Sequence, residues 1–251
     1  MPKISINILT KNRAELLQKA LTSVAEQTFN DFEVVVVDDG STDGTREVLK
    51  DLKIENLKII YHSQSIGISA SRQEALEKSA GEYVAVLDDD DEWTDPDKLK
   101  RQVGFLDTHP EFVLVGGLIN LKIEGLKDSK IIRRPEIDTQ IRRTMLLRNN
   151  FFTSTVMFRK EAALKAGGFI KDNIDLAEDY DLWLRMGKIG KMYNFPLVFT
   201  SYRLPSYNKD RFKQFLAKQL KLIACHKTGY HHYYLAALIL RVRLKFLISN
   251  F

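Results

Sequence analysis

The chain contains little cysteine and no long apolar run. Its 251 residues include one cysteine, Cys225, which excludes an intrachain disulfide framework and a cysteine-rich zinc site. No apolar stretch reaches the roughly 18 to 20 residues that a membrane-spanning helix needs. The sequence also enters the strand-like run 4–9 without a signal-peptide pattern. We therefore expect a cytoplasmic protein that contacts the inner face of the cell membrane at most peripherally.

Several common catalytic signatures are also missing. The chain has no glycine-rich loop of the P-loop or dinucleotide-binding type, and no order of serine, histidine and aspartate indicates a hydrolase triad. The histidines show no metal-ligand spacing near an acidic cluster, so we interpret them as surface or packing residues. They are His62, His109, His226, His231 and His232.

The positive charge of the chain is concentrated near its end. The formal net charge is +5, and the composition of 44% hydrophobic and 28% charged residues is typical of a folded protein with a large core. Residues 209–251 contain nine Lys or Arg and one acid, Asp210. The rest of the chain is therefore mildly acidic. Because no nucleic-acid recognition motif accompanies the basic segment, we expect no nucleic-acid partner.

Strand and helix patterns alternate along the first hundred residues. Residues 32–37 are almost continuously β-branched and apolar, which is typical of a strand buried on both faces. Residues 13–27 place apolar side chains at helical spacing. The alternation predicts an α/β fold, with a Rossmann-like, mostly parallel sheet and helices on both faces. The predicted strands are 4–9, 32–37, 57–61 and 83–87, and the predicted helices are 13–27 and 69–79.

The second half of the chain has a different character and ends in helices. Its first strands are expected to be exposed or at a sheet edge, and a C-terminal helical extension is expected to follow the body. No internal repeat or low-complexity linker occurs, so a flexible two-domain arrangement is not expected. The predicted strands are 112–121, 130–134 and 151–158, and the predicted helices are 139–147, 160–166, 210–228 and 232–251.

Four consecutive aspartates, Asp88 to Asp91, follow the strand predicted at 83–87. Crowded carboxylates repel one another, which favours a bound cation. Side chains two apart at a strand end point the same way, so Asp88 and Asp90 are expected to converge. Mg²⁺ or Mn²⁺, held by one or two carboxylates and completed by substrate phosphates, suits such ligands. The alternative is a solvated acidic loop that caps a helix beginning near residues 95–97.

Two further polar groups are expected at the same edge of the sheet. Asp38 and Asp39 end the strand 32–37, where a carboxylate accepts hydrogen bonds from a nucleobase or a ribose. An Asx-turn or a helix cap is the alternative. Arg72 lies in the helix before the acidic strand, and its guanidinium suits a phosphate. The alternative for Arg72 is an ordinary surface cation.

Glu178 and Asp179 form an acidic pair among otherwise apolar residues. A carboxylate beside a substrate hydroxyl takes its proton as the hydroxyl attacks, which is general-base catalysis. The alternative for the pair is the start of a helix. Trp183 follows one turn later, either as a core residue or as an aromatic surface on which an acceptor sugar stacks.

Several short motifs occur in a fixed order between residues 3 and 205. They are Thr10-Lys11-Asn12-Arg13, Gln27-Thr28-Phe29, residues 38–43, Ser71-Arg72-Gln73, residues 87–91, Gly167-Gly168-Phe169 and residues 178–185. The combination is far more specific than any one element. With these motifs the chain resembles glycosyltransferase family 2, the nucleotide-sugar transferases with the GT-A fold.

The resemblance implies an inverting glycosyltransferase. Such an enzyme moves a sugar from a nucleoside-diphosphate sugar, here expected to carry UDP, to a hydroxyl of a glycan or lipid-linked acceptor, with Mn²⁺ or Mg²⁺ as cofactor. A role in polysaccharide biosynthesis for the cell envelope would follow. Residues 1–110 would be the donor-binding half, 111–205 the acceptor-binding and catalytic half of the same domain, and 206–251 the basic helical extension.

The site residues can be carried over position by position. Asp179 matches the base that deprotonates the acceptor, with Glu178 beside it, and Asp90 is the expected direct metal ligand, joined by Asp88. Residues 153–158 and the turn at 167–169 would shape the acceptor pocket. The residues expected to bind the nucleotide are Thr10, Asn12, Arg13, Asp38, Asp39, Arg72, Asp88 and Asp89.

The chain departs from parts of the family pattern. The Gln-X-X-Arg-Trp signature of processive members is absent, which disfavours a polymer-extruding synthase. No histidine occurs in residues 201–205, where some GT-A enzymes place a metal ligand, so coordination is expected to rest on aspartate, water and phosphates. The alternative functions are a non-catalytic nucleotide- or glycan-binding member and a nucleotidyltransferase-like enzyme, although the latter normally opens with a glycine-rich basic loop.

The last predicted helix is basic and amphipathic. Its apolar residues lie beside Arg241, Arg243 and Lys245, so the helix could lie on an anionic bilayer that carries a lipid-linked acceptor. The alternative is a helix that packs on the body or across a homodimer. The predicted apolar face comprises Leu235, Leu238, Ile239, Val242, Phe246 and Leu247.

Overall fold

A sheet with intervening helices forms the N-terminal half of the computed structural model, which describes residues 1–51, 54–169, 177–204, 209–228, 230 and 232–249. All strands and helices predicted there are present, and the structure adds the polar helix α2 and the short strand β5. The elements are β1 (Ile4–Thr10), α1 (Ala14–Ala25), β2 (Phe32–Asp38), α2 (Thr45–Asp51), β3 (Leu57–Tyr61), α3 (Ile68–Lys78), β4 (Tyr83–Asp88), β5 (Glu92–Trp93) and α4 (Lys98–Thr108).

Four parallel strands bring polar residues to one edge of the sheet. Their order is β3-β2-β1-β4, with β1 between β2 and β4. Thr10 pairs with Asp38, and Leu9 pairs with Asp88. Because the carboxyl ends of parallel strands meet at one edge, β1, β2 and β4 place the residues that follow them side by side.

The C-terminal half extends the same sheet in the order β4-β8-β6-β9-β5, with β7 paired to β6. Strand β8 runs antiparallel to both β4 and β6, whereas β6 and β9 are parallel. The elements are β6 (Phe112–Ile123), β7 (Ser129–Ile132), α5 (Asp138–Thr144), β8 (Met157–Arg159), α6 (Lys160–Lys165), α7 (Glu178–Met186), β9 (Lys191–Leu204), α8 (Lys209–Cys225) and α9 (Tyr233–Ser249).

One expectation for the second half is wrong, and one strand was missed. Strand β6 is not at an edge, since it lies between β8 and β9 and its residues 113–119 are buried. The 14-residue strand β9 was not predicted at all. Pro196 interrupts its pattern, and a proline cannot donate to the ladder. The pairing of β9 with β6 accordingly shifts register between Gly116 and Ile119.

The strand predicted at 151–158 is also only partly present. Residues Thr153–Thr155 form a 3₁₀ turn, and only Met157 and Phe158 of that run belong to β8. The Thr155 hydroxyl donates to the Phe152 carbonyl at 2.8 Å, and such local bonds compete with strand pairing. The turn places Thr153 beside the start of α7, where Thr153 contacts Asp179.

The core lies on both faces of the sheet. Helices α1 and α4 pack on one face, against residues such as Ile6 and Leu87, and α7 packs on the other, where Trp183 is fully buried. The second alternative for Trp183, a sugar-stacking surface, is thereby excluded. The α/β prediction with helices on both faces is confirmed.

The C-terminal helices pack on the body with one face. Leu216 and Ile223 of α8 and Ala236 and Leu240 of α9 are buried in the same cluster as Trp183. This observation favours packing on the body for that face of the extension. No helix in the described part of the chain has the length and apolar character needed to cross a bilayer.

Candidate active site

The segment at the end of β1 is hydrogen-bonded to the loop that follows β2. Asn12 has a positive φ of 54°, a conformation that asparagine tolerates better than most residues. Its Oδ1 accepts the Thr42 backbone N–H at 2.7 Å, and its own N–H donates to Ser41 Oγ at 2.9 Å. Thr10 ends β1 and is buried. The opening motif is therefore tied to the loop that follows Asp38.

Asp38 and Asp39 are held by hydrogen bonds from different segments of the chain: Asp38 by the loop after β2 and by α2, and Asp39 by the loop between β3 and α3. Asp38 is fully buried, and its carboxylate accepts the Ser41 N–H at 2.9 Å and Arg46 Nε at 3.3 Å. Asp39 accepts the Ser65 hydroxyl and the Ile66 N–H. Burial alone would raise the pKa of Asp39, but these donors outweigh it and lower the pKa to about 2. Asp39 is thus fixed as an ionised acceptor.

His62 contacts a predicted site residue, Asp39, and the sequence interpretation missed this contact. Its Nδ1 lies 2.9 Å from Asp39 Oδ1, and its Nε2 lies 2.8 Å from Glu74 Oε2. Burial lowers the pKa of His62, but the two carboxylates raise it above the ordinary value. The histidine therefore joins the loop after β2 to helix α3.

The four-aspartate run splits among different partners. Arg13 Nη1 contacts Asp89 Oδ1 at 2.8 Å and Asp90 Oδ2 at 3.0 Å. Burial raises the pKa of Asp89 to about 6 and also raises the pKa of Asp90, to which the charge of Asp88 contributes. Asp88 and Asp90 thus lie close enough to repel, although each pairs with a different arginine. Such a cluster is suited to a cation.

Asp91 belongs to the framework of the site. Its carboxylate accepts the Ser154 hydroxyl at 2.5 Å and the Arg203 backbone N–H at 2.8 Å. Burial raises its pKa well above the ordinary value. Asp91 therefore connects the acidic run to the 3₁₀ turn and to β9, which fits a supporting residue better than a ligand.

Arg72 joins the acidic run to the pair on α7. Its Nη2 donates to Asp88 Oδ1 at 2.8 Å, and its Nε donates to Glu178 Oε1 at 3.0 Å. The side chain is only 5% exposed, so the surface-cation alternative is excluded. Burial lowers the pKa of Arg72, but the surrounding carboxylates outweigh it and raise the pKa further. Residues separated by more than a hundred positions in the sequence are thereby in direct contact.

Asp179 lies in the first turn of α7 and is oriented by three donors. Its Oδ2 accepts the Thr153 hydroxyl at 2.6 Å and Asn149 Nδ2 at 3.2 Å, and its Oδ1 accepts the Tyr180 N–H at 2.6 Å. Burial raises the pKa of both Asp179 and Glu178, and the charge of Asp179 raises that of Glu178 further. A carboxylate that is held in one orientation and has a raised pKa is suited to accept a proton.

Tyr202 lies near the carboxylates of both acidic groups and was not predicted. Burial raises its pKa well above the ordinary value, and the neighbouring charges of Asp91, Asp88 and Asp179 add to the shift. Its ring lies 6.0 Å from that of Phe152, measured between centroids. The sequence offered no signal, because β9, which carries Tyr202, was not predicted.

A metal at this site would need ligands from outside the chain. The available oxygens are those of Asp88 and Asp90, and the described residues contain no group of three or more His, Cys, Asp or Glu side chains arranged around a metal position. Mg²⁺ is commonly held by one or two carboxylates together with phosphates and water. The donor set therefore fits a metal that arrives with a diphosphate.

Comparison with known proteins identifies the family. The profile of the Glycosyl transferase family 2 matches residues 5–166. The chain belongs to glycosyl transferase family 2. It is 31% identical over 209 residues to TuaG of Bacillus subtilis, which carries the provisional name of a teichuronic acid biosynthesis glycosyltransferase; the match covers 81% of this chain and 79% of TuaG. The family-2 chain is therefore a glycosyltransferase, as the motif order implied.

Two further similarities cover nearly the whole chain. WfaP of Escherichia coli, named a UDP-Glc:alpha-D-GlcNAc-diphosphoundecaprenol beta-1,3-glucosyltransferase, is 29% identical over 238 residues, covering 92% of this chain and 90% of WfaP. A mannosyltransferase from Pyrobaculum calidifontis, solved with GDP-Man and Mn2+, has a TM-score of 0.71 and 21% identity, covering 99% of this chain and 70% of that structure. The similarity to the mannosyltransferase structure shows that this chain shares the GT-A fold.

Proposed function

We propose that the protein transfers a sugar from a nucleoside-diphosphate sugar to an acceptor hydroxyl and inverts the anomeric centre. The observation that carries the proposal is the contact of Arg72 with both Asp88 and Glu178. This contact brings Asp88, at the end of β4, near the acidic pair on α7 and so supports a shared site for donor and acceptor. Residues 1–110 would bind the donor, residues 111–205 would bind the acceptor, and 206–251 would form the basic extension.

The nucleotide is proposed to bind at the ends of β1, β2 and β4, with the base and ribose near Asp39 and the diphosphate near Asp88 and Asp90. A bound Mn²⁺ or Mg²⁺ would stabilise the negative charge of the departing nucleoside diphosphate. UDP is the proposed nucleotide, in line with the UDP-Glc in the name of WfaP. The residues proposed to contact it are Thr10, Asn12, Arg13, Asp38, Asp39, Arg72, Asp88 and Asp89.

Asp179 is proposed as the general base, with Glu178 beside it. Thr153 and Asn149 donate to the same oxygen, Oδ2, and so orient the carboxylate toward the acceptor hydroxyl. The carboxylate takes the hydroxyl proton while the hydroxyl oxygen attacks the anomeric carbon from the side opposite the leaving diphosphate. A single displacement of this kind inverts the anomeric configuration.

A thermal-shift screen tests the donor proposal. The protein would be heated with UDP-glucose, UDP-N-acetylglucosamine or GDP-mannose, each with and without Mn²⁺. We expect one UDP-sugar to raise the midpoint of unfolding only when Mn²⁺ is present, because ligands of the native state stabilise it in proportion to occupancy. Stabilisation by none of these sugars, with wild type otherwise folded, would contradict the proposal.

The acceptor is proposed to be lipid-linked, and α9 is proposed to rest on the anionic membrane surface that carries it. Exposed apolar side chains on α9 include Leu235, Leu238 and Val242, and Arg241 and Arg243 are exposed beside them. Apolar burial together with attraction between arginines and anionic headgroups supports such binding. The inner face of the cell membrane is the proposed location.

Co-sedimentation with vesicles tests the membrane proposal. Wild type is expected to pellet with vesicles that contain one-third phosphatidylglycerol and not with neutral vesicles. Leu238→Glu should reduce the bound fraction severalfold, because it places a negative charge on the contact face. Ile131→Glu, at an exposed position on β7, serves as the matched control and should bind as wild type does. Equal binding by both variants would contradict the proposal.

A further inference from the structure

Two arginines whose charges interact, Arg134 and Arg148, lack an acidic partner in the described residues. Arg134 follows β7, and Arg148 follows α5. In the described residues no carboxylate forms an ion pair with either guanidinium, whereas the buried Arg72 and Arg185 are each paired with acids. The arginines therefore present positive charge that the described protein does not neutralise.

Arg134 is held in a defined position despite this lack of an acid. Its Nε donates to the Asn149 carbonyl at 3.2 Å, and its Nη1 donates to the Arg133 carbonyl at 3.2 Å. The guanidinium carbon lies 4.5 Å from the centre of the Phe152 ring, at a distance suited to a cation–π contact. The backbone and the ring orient the guanidinium, and its Nη2 has no acceptor among the described residues.

The charge of this arginine pair costs free energy in the absence of an anion. Burial lowers the pKa of Arg134 to about 10, and the positive charge of Arg148 adds to the shift. Because like charges repel, the exposed Arg148 destabilises the charged form of the partly buried Arg134. An anion bound between the two guanidinium groups would attract both of them and so offset their repulsion.

Arg134 is separated from Asp179, the proposed general base, by a single residue. Asn149 accepts from Arg134 with its carbonyl and donates to Asp179 Oδ2 with its side chain, at 3.2 Å in both cases. The Phe152 ring, which Arg134 covers, lies 6.0 Å from the ring of Tyr202. The nucleotide end has its own cations, Arg13 and Arg72, so Arg134 and Arg148 are available to the acceptor.

We propose that Arg134 and Arg148 bind a diphosphate ester on the acceptor, attached to the sugar whose hydroxyl Asp179 activates. Guanidinium groups match phosphate oxygens with paired, charge-assisted hydrogen bonds. Because Arg134 and Asp179 are bridged by Asn149, one sugar residue would span from the reacting hydroxyl to the anion. This subsite rests on the proposed function, which assigns the acceptor hydroxyl to Asp179.

Calorimetric titration with geranyl diphosphate tests the subsite. The full chain is first saturated with UDP and Mn²⁺, so that the nucleotide site is filled, and geranyl monophosphate and geraniol are the comparison ligands. Arg134→Gln and Arg148→Gln are each expected to weaken geranyl diphosphate binding about tenfold, equivalent to about 1.4 kcal/mol. Arg143→Gln, at an exposed position on α5, removes the same charge and should bind as wild type does.

The outcomes separate the subsite from the donor proposal. Loss of affinity for geranyl diphosphate with unchanged affinity for geraniol supports the subsite, and an equal loss for the monophosphate extends it to phosphate esters in general. Unchanged binding in both arginine variants, or an equal loss for geraniol, overturns it. Binding of UDP is measured first in each titration, so a failure of the nucleotide proposal is seen separately. Arg148 is exposed, so its variant should fold even if Arg134→Gln does not.

Discussion

The carboxylates after β2 and those after β4 lie at the same edge of the sheet but in opposite electrostatic surroundings. Asp39 accepts donors from the loop between β3 and α3, and its pKa falls to about 2. Burial instead raises the pKa of Asp89 to about 6, and it raises the pKa of Asp179 on α7 in the same way. A satisfied carboxylate thus stays ionised, whereas a crowded one gains from a cation or a proton.

This difference distinguishes two tasks within one site. Asp38 and Asp39 accept hydrogen bonds from loop backbone, which hold the shape of the proposed nucleotide end. Asp88 and Glu178 share one buried cation, Arg72, and lie where a metal and a reacting hydroxyl are proposed to bind. The first pair is expected to control shape, and the second group is expected to control chemistry.

Removing the charge of Asp179 is expected to have the largest effect. Asp179→Asn should lower kcat by about 10² to 10⁴, the usual contribution of a general base, while the donor dissociation constant stays within about twofold of wild type. Steady-state kinetics and nucleotide titration measure both. Asp107→Asn is the matched control, because Asp107 pairs with Lys3 and Tyr83 at the opposite end of the strands. Near-normal turnover of Asp179→Asn would remove Asp179 from its proposed role.

Loss of the shared cation is expected to have the next largest effect. Arg72→Met leaves the buried Glu178 and the partly exposed Asp88 without their shared cation, which should lower the free energy of unfolding by about 3 to 5 kcal/mol. Arg101→Met is the control, because Arg101 is 45% exposed and pairs with Asp95 and Asp97, and exposed pairs contribute at most about 1 kcal/mol. Urea denaturation of both variants measures the difference. Equal losses of unfolding free energy in the two variants would contradict the claim that Arg72 stabilises Asp88 and Glu178 more than an exposed ion pair does.

The acidic run itself offers a sharper comparison. Asp90→Ala should abolish the dependence of UDP binding on Mn²⁺ with little change in stability. Asp91→Ala should instead lower the free energy of unfolding by about 1 to 3 kcal/mol, because the Ser154 hydroxyl and the Arg203 N–H lose their acceptor. Titration calorimetry and denaturation distinguish the two variants. If Asp91→Ala abolished the Mn²⁺ dependence and Asp90→Ala lowered the stability, Asp91 would be the metal ligand and Asp90 the supporting residue.

The sequence predicts the parts of this site that local patterns determine, but not the contacts between residues far apart in the chain. The strand ends that carry Asp38, Asp39 and Asp88 follow from local patterns, because apolar runs and parallel topology place them at one edge. The contact between Arg72 and Glu178 spans 106 positions, and no local pattern encodes it. Only the family motif order indicated that both belong to one site.

The residues that the sequence missed have a common physical cause. Tyr202 lies on β9, whose pattern is interrupted by Pro196 and whose pairing contains register shifts. His62 gains its role from Asp39 and Glu74, which approach only after β2 and α3 pack together. Side chains whose roles arise from packing between elements carry no periodic signal of their own.

The smallest expected effect concerns His62. Its folded pKa is raised above the unfolded value, so its contribution to stability is fully present below the unfolded pKa of about 6.5 and is lost as pH rises through the folded pKa. Between pH 6 and pH 8.5 wild type should lose more unfolding free energy than His62→Gln, by about 1 kcal/mol or less. His109→Gln, which alters an exposed histidine, should behave as wild type. Urea denaturation at both pH values measures the difference.

The pH dependence of kcat/KM for the transfer reaction tests the contrast between the two groups of carboxylates most directly. Since burial raises the pKa of Asp179 and Glu178 together, the acidic limb should report an apparent pKa of the pair above the ordinary carboxyl range of about 3.9 to 4.3. UDP binding over the same pH range controls for folding. An apparent pKa inside or below the ordinary range, with UDP binding intact, would contradict the assignment of a raised, catalytic carboxylate on α7.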